Sequence, residues 1–167
     1  ADLGVRVLTM NDIHRFIEEM HPDVIFIDQL SLVEDVRSNK NAPLRERYGN
    51  IMSDLRVLAE TKRIPIFVAA QANRQSATKD EEGDYTIPEM HHIAESDAVG
   101  HHCTRAIGFC TNRIEGENKS MMRVAVQKNR HGGSAEFKIE VDFEHGVFEE
   151  LKQKPLRSED ARGTGQF

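Results

Sequence analysis

Two short apolar runs, each preceded by an amphipathic pattern, constrain the fold of this chain more than any other feature. The runs are DVIFID at residues 23–28 and PIFVAA at residues 65–70. Unbroken apolar runs of this kind are typical of strands that are buried on both faces of a parallel sheet. We therefore expect two such strands in the N-terminal half of the chain.

The two amphipathic patterns predict helices in front of these strands. The first helix is predicted over residues 9–21, where Thr9 and Asp12 have the spacing of a capping box. The second is predicted from Leu44 to the residue before Ile64, with apolar residues recurring along one face. The order helix, strand, helix, strand implies right-handed crossovers and an α/β layered fold with a mostly parallel sheet.

The C-terminal half predicts a different arrangement, which includes a β-hairpin. We expect, in chain order, a long polar loop at 72–92, a short helix at 94–103, a strand at 105–111, and two strands at 121–128 and 136–143. The last two strands frame a turn built on Gly132 and Gly133, and a short final strand follows. We expect one domain over residues 1–151 and a polar, frayed tail at 152–167.

The charge of the chain excludes one class of nucleic-acid-binding protein. The 167 residues contain 22 Lys and Arg against 28 Asp and Glu, a net charge of −6. This excludes a uniformly basic surface but leaves room for a local basic channel, because steering depends on the local field. No apolar run in the sequence is near the length of a membrane span, and we expect a cytoplasmic protein without a signal peptide or membrane contact.

Asp28 and Gln71 are the first candidates for chemistry, because each follows an apolar strand. The carboxyl ends of strands in an open α/β sheet point into the ligand crevice. A carboxylate in that place is suited to holding Mg²⁺ through water, and an amide is suited to sensing a phosphate oxygen by hydrogen bond. The structural alternatives are a helix cap or solvated strand end for Asp28, and a turn residue for Gln71.

Five segments in a fixed order carry a resemblance to a known family. They are PDVIFIDQLSLVE, a helix ending in LAE, IPIFVAAQANR, IAESDAVGHHCTRAIGF and VQKNRHGG. In this order the chain resembles replicative hexameric DNA helicases of the DnaB type, and phage members in particular. The resemblance implies a RecA-like fold that binds ATP and Mg²⁺, and six subunits in a ring around single-stranded DNA. A primase or a helicase loader would be further partners.

Carried over position by position, the resemblance also implies roles for single residues. Asp28 matches the Walker B aspartate that organises Mg²⁺, and Gln71 matches the amide that couples the γ-phosphate to the DNA loops. Lys128 and Arg130 match the cationic finger that reaches the ATP of a neighbouring subunit. We expect these two cations to lie away from the site of their own subunit. A solvated hairpin tip is the alternative.

A further set of residues is predicted to contact DNA. Glu95 and Ser96 match the loop that touches the DNA backbone in the family, although Ala94 and Asp97 beside them depart from its pattern. Basic residues in the connections after the two strands are candidates for phosphate contacts, with a solvated basic loop as the alternative: Arg37, Lys40, Arg45, Arg47 and Arg74.

One expected motif is absent from the sequence. No G-x-x-x-x-G-K-[ST] pattern occurs, and no glycine is followed by lysine. That loop cradles the phosphates in P-loop proteins. We therefore interpret the chain as the C-terminal portion of a RecA-like motor domain that lacks the P-loop strand. The alternatives are a RecA- or RadA-type recombinase, a KaiC-like ATPase, or a non-catalytic assembly module of the same fold.

Overall fold

The first helix of the chain begins where two side chains cap its N-terminus. A computed structural model of the chain describes residues 7–39, 41–73, 78–81, 83–92, 97–114, 116 and 118–151. Helix α1 (Met10–Met20) begins after Thr9, whose hydroxyl accepts a hydrogen bond from the Asp12 N–H at 3.3 Å. The Asp12 carboxylate accepts from the Thr9 N–H at 3.1 Å, which completes the predicted capping box. The helix ends at Met20 and His21 is its C-cap, in agreement with the predicted end.

Two parallel strand pairs follow from the N-terminal sequence. Strand β1 (Leu8–Thr9) pairs with β3 (Val33–Glu34), and β2 (Ile25–Ile27) pairs with β4 (Ile66–Val68). The β2–β4 pair confirms the two strands predicted from the apolar runs. The two-residue β1–β3 pair was not predicted from the sequence.

Helix α2 (Leu44–Lys62) confirms the second predicted helix and supplies much of the core. Its apolar residues pack with those of α1 and of the β2–β4 pair into one hydrophobic cluster. The buried members of this cluster are Met10, Ile13, Ile17, Ile25, Ile27, Leu30, Val33, Ile51, Met52, Leu55, Leu58 and Val99. The core therefore lies between the two helices and one face of the β2–β4 pair.

The other face of the β2–β4 pair is open, and the expectation of burial on both faces is wrong for this chain. Phe26 is 71% exposed and Phe67 is 54% exposed. Their rings stack on each other, with centroids 4.9 Å apart and planes 13° apart. The two helices cover only the face that carries Ile25 and Ile27, so side chains that alternate to the opposite face remain in solvent.

The C-terminal half forms a four-stranded antiparallel sheet. Its strands are β5 (Arg105–Arg113), β6 (Ser120–Asn129), β7 (Ala135–Asp142) and β8 (Val147–Glu150), paired in that order. Strands β6 and β7 form the predicted hairpin. Helix α3 (Asp97–His102) precedes the sheet, and it confirms the predicted short helix over the part that the structure describes.

The described part of the connection from β4 to α3 contacts the antiparallel sheet. Asn112 of β5 is buried and accepts the Tyr85 N–H at 2.6 Å, while its amide donates to the Tyr85 carbonyl at 3.2 Å. Arg123 of β6 pairs with Asp80 at 2.8 Å and with Glu136 at 3.1 Å. These contacts place Asp80 and Tyr85 against the sheet.

The structure does not test the predicted tail or the predicted domain boundary. The predicted tail at 152–167 lies outside the described residues, and the division of the chain at residue 151 stays a prediction. Within the described helices, none combines the length and the apolar character that crossing a bilayer requires.

We expect Leu58→Ala to lower the free energy of unfolding by about 2–5 kcal/mol, because it empties a site in the packed core. Leu58 is 2% exposed on α2. Val57→Ala is the matched control, since its side chain is 59% exposed on the same helix, and we expect a change within about 0.5 kcal/mol. Urea unfolding of both variants measures the difference. Equal losses would contradict the described packing of α2.

Candidate active site

Asp28 and Gln71 lie at the same edge of the β2–β4 pair. The strands are parallel and in register from Ile25 with Ile66 to Ile27 with Val68, so their carboxyl ends coincide. Asp28 follows β2 directly, and Gln71 follows β4 after two alanines. Both residues are exposed. Among the described residues, neither side chain has a hydrogen-bond partner.

A cleft of about 700 Å³ opens at this edge. It lies between the residues that follow the two strands and the first turn of α2, and it contains both Gln71 and Arg45. Its full lining is Gln29, Leu30, Ser31, Pro43, Leu44, Arg45, Tyr48, Ala70, Gln71, Ala72 and Asn73. The cleft combines a cation, an amide and an aromatic ring, groups that are suited to a phosphate backbone with bases beside it.

The carboxylate of Asp28 fits the chemistry of the implied Mg²⁺ ion. Mg²⁺ keeps several waters and is usually held by one or two carboxylates together with substrate phosphates. Asp28 is an exposed carboxylate at the strand edge, next to Gln29 of the cleft. Within the described part of the chain, no group of three or more His, Cys, Asp or Glu side chains could hold a metal ion.

Arg37 is engaged by carboxylates of its own chain. Its guanidinium lies 2.9 Å from the Asp54 carboxylate and 3.6 Å from that of Asp35. It also donates to the Asn50 carbonyl at 3.3 Å. A DNA phosphate would therefore have to compete with these partners for Arg37, whose proposed DNA contact stays a prediction.

Asp35 is the centre of this network, and sequence reasoning did not single it out. Its side chain is 3% exposed. The carboxylate accepts hydrogen bonds from the Ser38 hydroxyl at 2.6 Å, the Asn50 amide at 2.8 Å and the Arg37 N–H at 3.1 Å. Burial raises the pKa of Asp35, but the hydrogen bonds from Ser38, Asn50 and Arg37 outweigh it and hold the pKa at about 2. Asp35 therefore joins Arg37 and Ser38, at the start of the segment that precedes α2, to Asn50 of that helix.

Of the other predicted DNA contacts, the structure describes Arg45 and Arg47, and their contact with DNA stays a prediction. Arg47 lines a second cleft, of about 420 Å³, together with Glu34, Asp35, Val36, Ser38 and Asn39. Arg45 lines the first cleft, so the two arginines face different spaces. Lys40, Arg74, Glu95 and Ser96 lie outside the described residues.

Lys128 and Arg130 contact the end of helix α3. The Lys128 ammonium donates to the Gly100 carbonyl at 2.5 Å, and the Arg130 guanidinium donates to the His101 carbonyl at 3.2 Å. Both cations therefore contact backbone carbonyls of their own chain, and their role as a finger stays a prediction. Sequence reasoning missed these contacts because backbone carbonyls leave no signal in the residue pattern.

Comparisons with known proteins identify one family model and several similar folds. The family model described as DnaB-like helicase C terminal domain matches residues 2–150. One similar solved structure, "The Structure Of A DnaB-Like Replicative Helicase And Its Interactions With Primase", has a TM-score of 0.69 and 18% identity. The match covers 87% of this chain and 36% of the solved chain.

A second similar solved structure is an ATPase domain, with a TM-score of 0.67 and 19% identity. The chain covers 52% of its length, again with 87% of its own residues. The chain therefore spans about a third to a half of these solved chains, and the likeness confirms the RecA-like helicase fold expected from the sequence. No curated protein matches the chain.

We expect Asp35→Asn to destabilise the chain at neutral pH by about 2 kcal/mol, the equivalent of its pKa shift from 3.8 to about 2. A depressed folded-state pKa contributes stability above the unfolded pKa, and this contribution is lost as the pH falls through the folded pKa. The difference between wild type and variant should therefore shrink between about pH 4 and pH 2. Urea unfolding across this range measures it, and a difference independent of pH would contradict the ionised network.

Proposed function

The chain belongs to the family of DnaB-like helicase C-terminal domains, and on that premise we propose that it forms part of a replicative DNA helicase motor. In the complete protein, this motor couples ATP hydrolysis to translocation on single-stranded DNA and to unwinding of the duplex. The family match over residues 2–150 favours this function over the recombinase and KaiC-like alternatives.

The observation that carries the proposal is the shared edge of Asp28 and Gln71. Two paired parallel strands bring a carboxylate and an amide from distant parts of the sequence to one place beside a cleft. An α/β ATPase needs this arrangement, because phosphoryl transfer is catalysed largely by positioning and by electrostatic stabilisation. Neither side chain supports the packed core, so both are available for the reaction.

Asp28 and Gln71 have different proposed roles at this edge. Asp28 would hold the Mg²⁺ ion through water, and the bound ion would supply neutralisation of phosphate charge. Gln71 lines the same cleft as Arg45, which is a predicted DNA contact. We assign to Gln71 the coupling of nucleotide state to DNA binding.

The active assembly in this proposal is a hexameric ring around single-stranded DNA. Lys128 and Arg130 serve as the finger that acts on the ATP of the next subunit, where their charges stabilise the charge that develops in phosphoryl transfer. A primase or helicase loader is a further proposed partner. The name of one similar structure refers to interactions with primase, which supports that choice of partner.

Substitutions at the strand edge separate the two roles in the complete protein. We expect Asp28→Ala to reduce ATP hydrolysis at least about 100-fold with little loss of stability, because an exposed carboxylate is removed from the strand end. We expect Gln71→Ala to keep basal hydrolysis and to lose its stimulation by single-stranded DNA. Steady-state hydrolysis with and without DNA measures both. Full DNA stimulation in Gln71→Ala would rule out the coupling role.

Mixed rings test whether the finger acts between subunits. Rings of Arg130→Ala alone and rings of Asp28→Ala alone should both be inactive. A ring that contains both variants has some interfaces with an intact Asp28 and an intact Arg130 from the neighbour, so partial hydrolysis should return. Native mass spectrometry verifies the mixing. Verified mixed rings without any recovery, or wild-type activity of Arg130→Ala rings, would place the finger elsewhere.

A further inference from the structure

The C-terminal end of α3 holds both cations of the proposed finger. A helix leaves its last carbonyls without partners inside the helix, and cations are favoured there by the helix dipole. In α3 the Gly100 carbonyl accepts from Lys128 at 2.5 Å and from the Cys103 thiol at 3.2 Å. The His101 carbonyl accepts from Arg130 at 3.2 Å and from Lys128 at 3.4 Å. The two side chains are therefore bound to their own subunit.

An irregularity in β6 aims Lys128 at this helix. The register of β5 with β6 runs from Ala106 opposite Lys128 directly to Ile107 opposite Val126, so Gln127 is an extra residue in the ladder. Such a bulge interrupts the alternation of side chains between the two faces of a sheet. Without it, Lys128 would share the face of Val126. With it, Lys128 lies on the face that α3 approaches.

The side chain of Gln127 fastens this bulge to the loop that precedes α3. Its amide donates to the Pro88 carbonyl at 2.6 Å. The same amide nitrogen lies 2.9 Å from the place that a Cβ on Gly108 would occupy, so the opposite strand leaves just enough room for it. The loop also approaches α3, because a Cβ on Gly100 would lie 2.9 Å from the Met90 methyl group. The loop therefore contacts both the bulge and α3, and Lys128 connects the bulge to α3.

We propose that Gln127 is a positioning residue: its hydrogen bond to Pro88 holds the β6 bulge, and the bulge keeps Lys128 and Arg130 retracted on the carbonyls of α3. The use of the two cations rests on the proposed function above. A phosphate of the ATP bound to the neighbouring subunit competes with the neutral carbonyls of α3 for Lys128 and Arg130. Bonds from a cation to a charged phosphate oxygen are the stronger kind, so the exchange is favourable when nucleotide is present.

If Lys128 is held on the carbonyls of α3, its amino group should react slowly with an acetylating reagent. Lys138 of β7 is exposed and has no side-chain partner among the described residues, so it is the internal control. Under brief treatment with an acetylating ester followed by mass spectrometry of peptides, we expect Lys128 to react at least about fivefold more slowly than Lys138. This follows because an ammonium bound to two carbonyls is held away from the reagent. Equal rates in the wild-type chain would overturn the proposal without any variant.

Gln127→Met tests the role of the hydrogen bond, because it keeps the length of the side chain and removes the donor. We expect the rate at Lys128 to rise to within about twofold of Lys138, while the rate at Lys138 stays unchanged. Asn112→Ser is the matched control, since it loosens the same loop at Tyr85 and leaves the bulge in place. It should leave the ratio of the two rates unchanged. An unchanged ratio in Gln127→Met, or an equal rise in Asn112→Ser, would overturn the positioning role.

Labelling of the complete protein tests the retracted state of Lys128 and its role as a finger separately. In assembled rings of Gln127→Met, a non-hydrolysable ATP analogue should protect Lys128 again, because phosphate replaces the carbonyls as its partner. Protection supports both the retracted state and the finger. A Lys128 that reacts faster in Gln127→Met rings but is not protected by the analogue supports the retracted state and overturns the finger assignment.

Discussion

The parallel pairing of β2 with β4 is the constraint on which the rest of the site depends. The ladder continues beyond the strands, where the Ala69 N–H donates to the Ile27 carbonyl at 2.9 Å and the Leu30 N–H donates to the Ala69 carbonyl at 2.8 Å. These bonds hold the segments after both strands side by side, so Asp28 and Gln71 share an edge. Helices α1 and α2 support the pair from one face only. The polar edge is therefore rigid where it joins the core and open where a ligand approaches.

Cations in this structure are bound internally by two kinds of partner, and the difference bears on function. Arg37 and Arg123 each pair with two carboxylates, which hold them within the fold. Lys128 and Arg130 instead contact neutral carbonyls at the end of α3. Bonds to neutral acceptors are weaker than charge-assisted pairs, so these two side chains are the more readily transferred to a phosphate. The kind of partner, carboxylate or neutral carbonyl, thus distinguishes Arg37 and Arg123 from the two cations of the proposed finger.

Features that depend on neighbouring residues could be predicted from the sequence. The capping box of Thr9 and Asp12, the span of α2 and the hairpin of β6 and β7 depend on local spacing, and the structure confirms them. The exposed stack of Phe26 on Phe67 could not be predicted, because an apolar run does not reveal how many layers cover it. The buried charge of Asp35 was equally hidden, since its partner Asn50 lies on a helix that the sequence does not place beside it.

The sequence by itself determined the order of helices and strands, the polar residues that end the two parallel strands, and the five segments that resemble a helicase family. Tertiary structure alone decided which of these residues meet. It brought Asp28 and Gln71 to one edge, faced Arg45 and Arg47 into different clefts, and turned Lys128 towards α3 through a bulge at Gln127. The physical reason is that periodicity encodes which side of an element is apolar. The partners of a polar side chain depend on strand register and helix packing, which arise only when distant segments assemble.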